Sequence, residues 1–492
     1  MNYTSPEKQG IKSEHIKEYI ECLEEANLST HDVIIMRHGN IVFEKYWAPF
    51  HKDFLHRMYS VTKSFVSLGI GFLEQDGLIN LDDPIVKYFP DELKDQKDEN
   101  FKNQTIRHML MMSTAKTDRY WFNVRPDDRV RFYFEHEGFA SRPSGNIFEY
   151  DSTGSFVLGA LVERVSGKEF VEFLREKFLD KIGFSKDAYC LKCPGGQAWS
   201  DSALICKPTD LLKVAQFCMN KGKWNGEQIL NEEYVVAATS KQIDNNPRGV
   251  NYHDTQGYGY LFWRTFDNSF FFNGMGAQLA ICVPDKDMIL VYNGDNQGHE
   301  DRAKDTVINN FFSMISRRAV DEELPENKQA QDALEEYTKD LKLFTAKGEK
   351  YADLQEKINN VTYKLNPNGM GITTVKLCFE NGKGKFCYEK NGAYKEIKFG
   401  LGENEFFPFP EEGYSDMVGT QKGNRLYNCA VSAAWVTDYQ LFIKVQIIDT
   451  YFGIAGITIG FDKDLRMTMY MTSSAEDFLY GYRGFAMGEL QK

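Results

Sequence analysis

The sequence has no excess of positive charge and no long hydrophobic run. Its 492 residues carry 58 Lys and Arg against 71 Asp and Glu, a formal net charge of −13. A polyanion such as nucleic acid is therefore a poor partner, and an anionic membrane surface is disfavoured for the same reason. The first ten residues lack the basic and apolar regions of an export signal, and no apolar run approaches membrane-spanning length. We therefore expect a cytoplasmic protein with neither nucleic acid nor a membrane as a partner.

Paired cysteines and complete sets of zinc ligands are also lacking. The nine cysteines are odd in number and scattered through apolar surroundings, so buried thiols are expected in place of a disulfide framework. Cys190 and Cys193 have the spacing of half a zinc site, but no second pair follows to complete four ligands. No G-x-S-x-G elbow and no H-E-x-x-H pattern occurs, which disfavours the α/β-hydrolase fold and zinc proteases. We expect no metal and no organic cofactor.

What is present is a globular composition, 42% hydrophobic, in a chain long enough for two or three domains. Two apolar runs flank the turn His38-Gly39-Asn40 and predict a β-hairpin. Helical patterns then dominate for about two hundred residues. Strand patterns return at residues 258–263, 270–272, 279–283 and 288–292. Strands from both ends of this region predict one antiparallel sheet flanked by helices, with a helical subdomain inserted between them.

The pattern changes near residue 320. Residues 321–359 hold 11 acidic and 6 basic side chains with apolar residues at helical spacing, which predicts an exposed helical linker. Short alternating runs separated by turns follow and predict a small β-barrel or sandwich. The predicted organisation is therefore an α+β domain over residues 1–320, a helical linker over 321–359 and an all-β, barrel-like accessory domain over 360–492.

The most informative stretch is a helical pattern that is apolar nearly all round, over residues 61–73, and therefore predicts a buried helix. Ser60 and Lys63 stand three residues apart, which places their Cβ atoms about 5–6 Å apart on one face. Burial disfavours the charged form of a lysine, so Lys63 can accept a proton from the Ser60 hydroxyl. The pair is a candidate activated nucleophile. The alternative is a helix-capping Ser60 beside a surface Lys63.

A second motif, Tyr150-Asp151-Ser152, precedes another apolar helical run. Together with Ser60 and Lys63 it resembles the serine β-lactamase and penicillin-binding-protein-like family, whose class C and esterase branch joins S-x-x-K to Y-x-N or Y-x-S. The resemblance implies a β-lactamase-like fold, with Ser60 as nucleophile and Lys63 and Tyr150 as general base. A tyrosine beside the lysine can be held partly as phenolate. The alternative is an ordinary half-buried tyrosine.

The third motif of that family, Lys-Thr-Gly or His-Thr-Gly, would fall on Phe272-Asn273-Gly274. The resemblance implies that the N–H groups of Met275 and Ser60 form the oxyanion hole, beside a glycine that admits the acyl group. The family's Lys or His helps to bind the carboxylate of β-lactams, and Phe272 stands in its place, which counts against an efficient β-lactamase. The predicted substrate-binding residues are Ser152, Asn273, Gly274, Gln278 and Tyr59.

One branch of the family is resembled more closely over roughly residues 30 to 315. Residues 37–47, 76–90 and 105–114 look like the 6-aminohexanoate-dimer hydrolase and family VIII carboxylesterase group. This implies a serine hydrolase that cleaves an ester or amide bond of a small-molecule ester, amide or peptide through a Ser60 acyl-enzyme. One alternative is a β-lactamase or D-amino-acid peptidase, and another is a ligand-binding relative without turnover. The oligomeric state stays open, with a homo-oligomer as one outcome.

Met and aromatic residues could also line a substrate cleft, although such residues occupy the core more often than they contact ligands. The candidates in this sequence are Met58, Tyr59, Trp121, Trp199 and Tyr258.

Overall fold

The structure is a computed structural model that describes residues 1–92, 98–115, 127–135, 141–246, 251–412, 425–475 and 477–491. Trp121 lies outside the described residues. The chain divides into two compact units, with the division between Leu343 and Phe344. This division falls inside the segment 321–359 that the sequence analysis assigns to a linker. Among the described residues, no helix combines the length and the apolar character needed to cross a bilayer.

The first unit contains a mixed set of helices and strands. Its described helices are α1 (Ser13–Glu25), α2 (Thr62–Gln75), α3 (Glu99–Lys102), α4 (Ile106–Leu110), α5 (Arg129–Glu135), α6 (Ser152–Ser166), α7 (Phe170–Leu174), α8 (Pro208–Met219), α9 (Glu232–Thr239), α10 (Glu300–Asn310) and α11 (Lys328–Thr338). Its described strands are β1 (Asn2–Tyr3), β2 (Thr30–Arg37), β3 (Asn40–Tyr46), β4 (His56–Arg57), β5 (Tyr189–Cys190), β6 (Leu204–Cys206), β7 (Lys223–Trp224), β8 (Glu227–Gln228), β9 (Trp263–Arg264), β10 (Phe270–Gly274), β11 (Gln278–Val283) and β12 (Met288–Gly294).

The main sheet of the first unit joins strands from both ends of the unit. In the described residues its order is β1-β3-β2-β12-β11-β10-β9, with β2 antiparallel to β12 and Ile35 opposite Leu290. Side chains alternate across the sheet because successive residues of a strand face opposite sides. Ile35, Ile281 and Leu290 belong to a buried cluster with α1 and α10. On the other side, the Cys282 thiol donates to the carbonyl of Ala215 in α8.

Two predictions for this unit meet different outcomes. The hairpin around His38-Gly39-Asn40 is confirmed as β2 and β3. The predicted antiparallel sheet is confirmed for every described pairing except that of β1 with β3, which is parallel. The strand predicted at residues 258–263 is wrong for all but its last residue. The chain turns back there, since the N–H of Gly259 donates to the carbonyl of Phe262 and Leu261 has a positive φ of 61°. Tyr258, Tyr260 and Phe262 are buried outside the strands, whereas the half-buried Trp263 pairs with Phe271. Burial of the first three residues produced the strand-like pattern.

The second unit begins at Phe344 and is built almost entirely from strands. It contains α12 (Leu354–Ile358), β13 (Thr362–Leu365), β14 (Ile372–Glu380), β15 (Lys383–Lys390), β16 (Ala393–Leu401), β17 (Glu405–Glu412), β18 (Leu426–Thr437), β19 (Gln440–Ile448), β20 (Phe452–Phe461), β21 (Met467–Ala475) and β22 (Gly484–Leu490) among the described residues.

These strands form one sheet that closes on itself. The order of the described strands is β16-β15-β14-β13-β22-β21-β20-β19-β18-β17, and β16 also pairs with β18. That additional pairing closes a ring of nine strands and leaves β17 beside β18. Closure removes the exposed edges that an open sheet would present. The predicted α+β fold followed by an all-β, barrel-like domain is confirmed.

Candidate active site

Ser60 and Lys63 lie together at the start of the buried helix, as their spacing predicts. Ser60 stands in a single 3-10 turn, Tyr59–Val61, that leads directly into α2. The Lys63 amine donates a hydrogen bond to Ser60 Oγ at 2.8 Å. Lys63 is only 2% exposed, so the alternative of a surface lysine is wrong. Ser60 itself is half-buried.

The turn that carries Ser60 is held in an unusual conformation. Tyr59 has a positive φ of 46°, in the left-handed region that non-glycine residues rarely adopt. Its carbonyl accepts a hydrogen bond from the Thr62 hydroxyl at 2.6 Å. The buried Arg57 guanidinium packs over the rings of Tyr59 and Trp199, at 4.3 and 4.6 Å from their centroids. Strained backbone of this kind persists only where its surroundings hold it, and it often accompanies functional sites.

A loop far along the chain supplies the second partner of Lys63. The Lys63 amine also donates to the carbonyl oxygen of Asp201 at 2.6 Å. The pairing of β4 with β6 holds this loop beside the Ser60 turn, and the N–H of Met58 donates to the carbonyl of Leu204. Two bonds from one amine fix its position relative to the Ser60 hydroxyl. Sequence reasoning did not identify Asp201, because no local pattern links it to a lysine 138 residues earlier.

The side chain of Asp201 lies in the interior behind Lys63. It is fully buried, and neither carboxylate oxygen has a hydrogen-bond partner among the described residues. Burial raises the pKa of Asp201 to about 6, although the positive charges of Lys63, Arg129 and Arg57 act in the opposite direction. Arg129 and Arg57 are themselves fully buried. Two buried arginines and one buried carboxyl group therefore surround the Lys63 amine that contacts the candidate nucleophile.

The ring of Tyr150 lies close to the Lys63 amine. The Lys63 amine is 5.2 Å from the centroid of the Tyr150 ring. Tyr150 is half-buried, and its ring stacks on Trp263 with centroids 5.7 Å apart. The next residue, Asp151, caps α6 by accepting from the N–H groups of Thr153 and Gly154 at 2.9 and 3.1 Å. The cap fixes the chain direction at Tyr150.

The third predicted element is the end of β10 and the turn after it. A Cβ atom placed on Gly274 would meet the carbonyl oxygen of Met58 at 2.4 Å, so β10 runs directly against the segment that leads into Ser60. Only glycine allows this approach of two backbones. Met275 follows in the turn to β11, as the prediction requires. Phe272, at the position of the family's cation, is fully buried.

The predicted substrate-binding residues occupy different kinds of position. Ser152, the first residue of α6, and Asn273 are half-buried. Tyr59 is buried under Arg57, and Gln278 is fully buried. The Gln278 amide group donates to the carbonyls of Met275 and Gly294 at 2.8 and 2.6 Å. Both side chains are thus engaged in contacts within the protein, and their contact with substrate stays a prediction.

The remaining sequence candidates are packed in the interior. Met58, Trp199 and Tyr258 are each at most 1% exposed, as expected of core residues. The cysteines are all free thiols, and all but Cys22 and Cys378 are buried. Burial raises the pKa of both Cys190 and Cys193. Within the described ranges, no group of three or more His, Cys, Asp or Glu side chains has the arrangement of a metal site.

Known proteins share this fold and the region that carries the site. The family model described as Beta-lactamase matches residues 17–310, more than half of the chain. The 6-aminohexanoate-dimer hydrolase of Paenarthrobacter ureafaciens is 23% identical over 281 residues, which cover 52% of this chain and 70% of that protein. Penicillin-binding protein 4* of Bacillus subtilis is 22% identical over 192 residues, covering 36% of this chain and 41% of that protein.

A solved structure matches nearly the whole length. The octameric penicillin-binding protein homologue from Pyrococcus abyssi superposes with a TM-score of 0.50 at 15% identity, covering 97% of this chain and 99% of that one. This likeness shows the shared fold, and the family model over residues 17–310 identifies a hydrolase of the serine β-lactamase and penicillin-binding-protein superfamily. The chain belongs to the Beta-lactamase family.

Proposed function

We propose that this protein hydrolyses an ester or amide bond of a small molecule through an acyl-enzyme on Ser60. The observation that carries the proposal is the 2.8 Å hydrogen bond from the buried Lys63 amine to Ser60 Oγ. A lysine with this partner and this burial can exchange a proton with the hydroxyl, which makes the oxygen a nucleophile. Tyr150, whose ring lies beside the same amine, is the second member of the base.

The reaction proceeds in two acyl transfers. Ser60 Oγ attacks the substrate carbonyl carbon as its proton passes to the Lys63 and Tyr150 pair, and the N–H groups of Ser60 and Met275 stabilise the oxyanion. The tetrahedral intermediate collapses when the pair returns the proton to the leaving alcohol or amine. Water then attacks the acyl carbonyl, gives a proton to the pair, and Ser60 recovers its proton as the acid is released.

Two further candidates are distinguished by their expected products. A β-lactamase or D-amino-acid peptidase would use the same residues but would bind a substrate carboxylate. The fully buried Phe272 at the position of the family's cation favours an ester or amide without that carboxylate. A ligand-binding relative would acquire an acyl group on Ser60 and retain it.

The oligomeric state is a separate proposal. The name of the Pyrococcus abyssi homologue describes that protein as octameric. We propose that this chain also self-associates, and light scattering is the test.

Intact-protein mass spectrometry tests the proposal directly. The protein is mixed with p-nitrophenyl acetate, a short-chain ester series, a linear amide dimer and nitrocefin, and its mass is followed with time. We expect a transient acyl adduct and turnover of esters or the amide, with little turnover of nitrocefin. Ser60→Ala should form no adduct and lower kcat at least about 10⁴-fold, as loss of a nucleophile does elsewhere.

Ser64 provides a matched control on the same helix. Its hydroxyl is buried and donates to the carbonyl of Leu261 at 2.8 Å, away from the proposed reaction. Ser64→Ala should therefore keep the adduct and the turnover. Full activity of Ser60→Ala would refute the nucleophile, and a permanent adduct on the unmodified protein would favour the ligand-binding relative.

A further inference from the structure

Most backbone polar groups of the turn between β10 and β11 are hydrogen-bonded, either within the turn or to neighbouring segments. The carbonyl of Met275 accepts from the Gln278 amide at 2.8 Å, and the N–H of Gly276 donates to Glu300 Oε2 at 3.3 Å. The carbonyl of Gly276 accepts from the backbone N–H of Asn296 at 3.1 Å and from its side-chain amide at 3.2 Å. These contacts bond both ends of the peptide group that joins Met275 to Gly276.

The N–H of Met275 is the exception in this turn. The N–H of Ala277 donates to the carbonyl of Gly274 at 3.1 Å, whereas the N–H of Met275 has no acceptor among the described residues. Gly276 has a positive φ of 79°, as the third residue of a type II turn requires. A buried N–H group normally has a partner, so a half-buried donor left open beside the Ser60 segment is suited to a bound oxygen.

Glu300 is held in place by its own neighbours. It is the first residue of α10, and its second oxygen, Oε1, lies 3.8 Å from the buried Lys304 amine. Lys304 also pairs with Asp254 Oδ2 at 3.2 Å and lies 3.9 Å from the Asp301 carboxylate. Partial burial raises the pKa of Glu300, and the positive charge of Lys304 and the Gly276 N–H oppose that shift. The Glu300 carboxylate thus joins α10 to the turn and lies beside the Lys304 amine.

We propose that Glu300 and Gln278 are positioning residues of the oxyanion hole. They hold the Met275–Gly276 peptide from opposite ends and thereby fix the turn in which the preceding peptide, Gly274–Met275, presents the free Met275 N–H to the substrate carbonyl oxygen. Gln278 secures the carbonyl end and Glu300 secures the N–H end. Rotation of the Met275–Gly276 peptide would break both bonds at once and change the shape of the turn. The inference rests on the proposed function, because it assigns these residues to the same acyl-transfer site.

Three substitutions at position 300 separate the acceptor from the charge and from the reach of the side chain. Glu300→Gln keeps an acceptor oxygen, and Lys304 retains Asp254 as its partner. Glu300→Ala removes the acceptor, and Glu300→Asp shortens the side chain by one methylene and draws the carboxylate back from Gly276. Asp301→Ala is the matched control, since Asp301 is the next residue of the same helical turn and its side chain is 74% exposed.

The measurement is the stopped-flow burst of Ser60 acylation with a p-nitrophenyl ester and with its thiono counterpart. We expect Glu300→Ala and Glu300→Asp to slow acylation about tenfold to a hundredfold, less than the 10²–10³-fold cost of losing an oxyanion donor. Steady-state kcat/KM should fall with kcat. Sulfur accepts hydrogen bonds weakly, so the preference for the oxo ester should shrink in these variants. Glu300→Gln and Asp301→Ala should stay within about threefold of the unmodified protein.

The outcomes distinguish this inference from the proposed function. If Glu300→Ala lowers only the thermal midpoint while acylation and the oxo-to-thiono ratio stay unchanged, Glu300 is merely structural and the inference fails. The same conclusion follows if Glu300→Gln loses as much acylation as Glu300→Ala. If Glu300→Ala does not fold, the folded Glu300→Asp and Glu300→Gln decide between the two. Absence of any Ser60 adduct in the unmodified protein would instead overturn the proposed function, and this inference with it.

Discussion

At the scale of single residues, the interior behind Ser60 is crowded with charge. Lys63 is bonded to Ser60 and to the backbone of Asp201, and the Asp201 carboxylate lacks hydrogen bonds among the described residues. A buried carboxylate without such bonds is costly when ionised. Since burial raises its pKa to about 6, Asp201 binds its proton more tightly in the folded chain than the ordinary value of 3.8 would allow. The site therefore carries a pH-dependent stability cost.

Asp201→Asn tests that cost because an amide imitates the neutral acid at every pH. Below about pH 4 the unmodified protein and the Asp201→Asn variant should have similar free energies of unfolding. As the pH rises to 6, the unmodified protein should become progressively less stable than the variant. Above pH 6 the variant should be more stable by about 3 kcal/mol, the value of the pKa difference.

Urea unfolding of both chains at pH 4.5 and pH 7.5 is the measurement. Every other titrating group is common to the two proteins, so their difference isolates Asp201. A difference that stays constant across this range would contradict the assignment of the raised pKa.

At the scale of elements, the site is assembled where three segments meet at short range. The Ser60 turn, the Asp201 loop and the end of β10 approach one another through backbone groups as well as side chains. The Asp151 cap sets the start of α6 and with it the place of Tyr150. Such contacts tolerate little displacement, because a shift near 1 Å can cost about 10²-fold in rate.

Gly274→Ala should separate β10 from the Ser60 turn. The added Cβ would lie 2.4 Å from the carbonyl oxygen of Met58. A backbone atom cannot relieve such a clash by changing rotamer, as a flexible side chain can. We expect kcat/KM for a p-nitrophenyl ester to fall about tenfold to a hundredfold, with a loss of about 1–3 kcal/mol in stability.

Gly460→Ala is the control for that substitution. Gly460 also lies in a strand, β20, and a Cβ there would meet no atom within 4 Å. Its kcat/KM should match that of the unmodified protein. Equal activity of Gly274→Ala and Gly460→Ala would show that the contact with Met58 does not position the site.

At the scale of the whole molecule, each of the two units buries hydrophobic residues of its own among the described residues. In the first unit, one buried cluster joins the main sheet to helices α1 and α10 and includes Ile35 and Leu290. In the second unit, Ile443 and Ile457 are fully buried inside the closed sheet. Each of these sets of buried residues belongs to one unit, so each unit can unfold as a cooperative element.

Differential scanning calorimetry should therefore resolve two unfolding transitions. Leu290→Ala should lower the midpoint temperature of one transition and Ile443→Ala that of the other. Each shift should correspond to a loss of about 2–5 kcal/mol in the free energy of unfolding. Ser60 labelling should be lost with the transition that Leu290→Ala affects. A single transition moved by both substitutions would instead mean that the two units unfold together.

The sequence predicted best those features that depend on residues close together along the chain. The Ser60 and Lys63 contact lies within one helical turn, and its spacing predicted the contact correctly. The hairpin at His38-Gly39-Asn40 and the repeated short strands of the second unit are equally local patterns. The run at residues 258–263 failed because buried aromatic side chains give a strand-like pattern whether or not the backbone forms a ladder.

The sequence by itself thus determined the fold class, the two kinds of unit and the identity of the Ser-Lys pair, because periodicity and short motifs act between neighbouring residues. Only the tertiary structure decided what surrounds that pair. The Asp201 carbonyl contacts Lys63 across 138 residues of sequence, and Glu300 contacts Gly276 across 24 residues. The Gln278 amide donates to the carbonyl of Met275. These contacts exist because distant segments pack around one core, and no periodicity along the chain records which backbone groups such packing brings together.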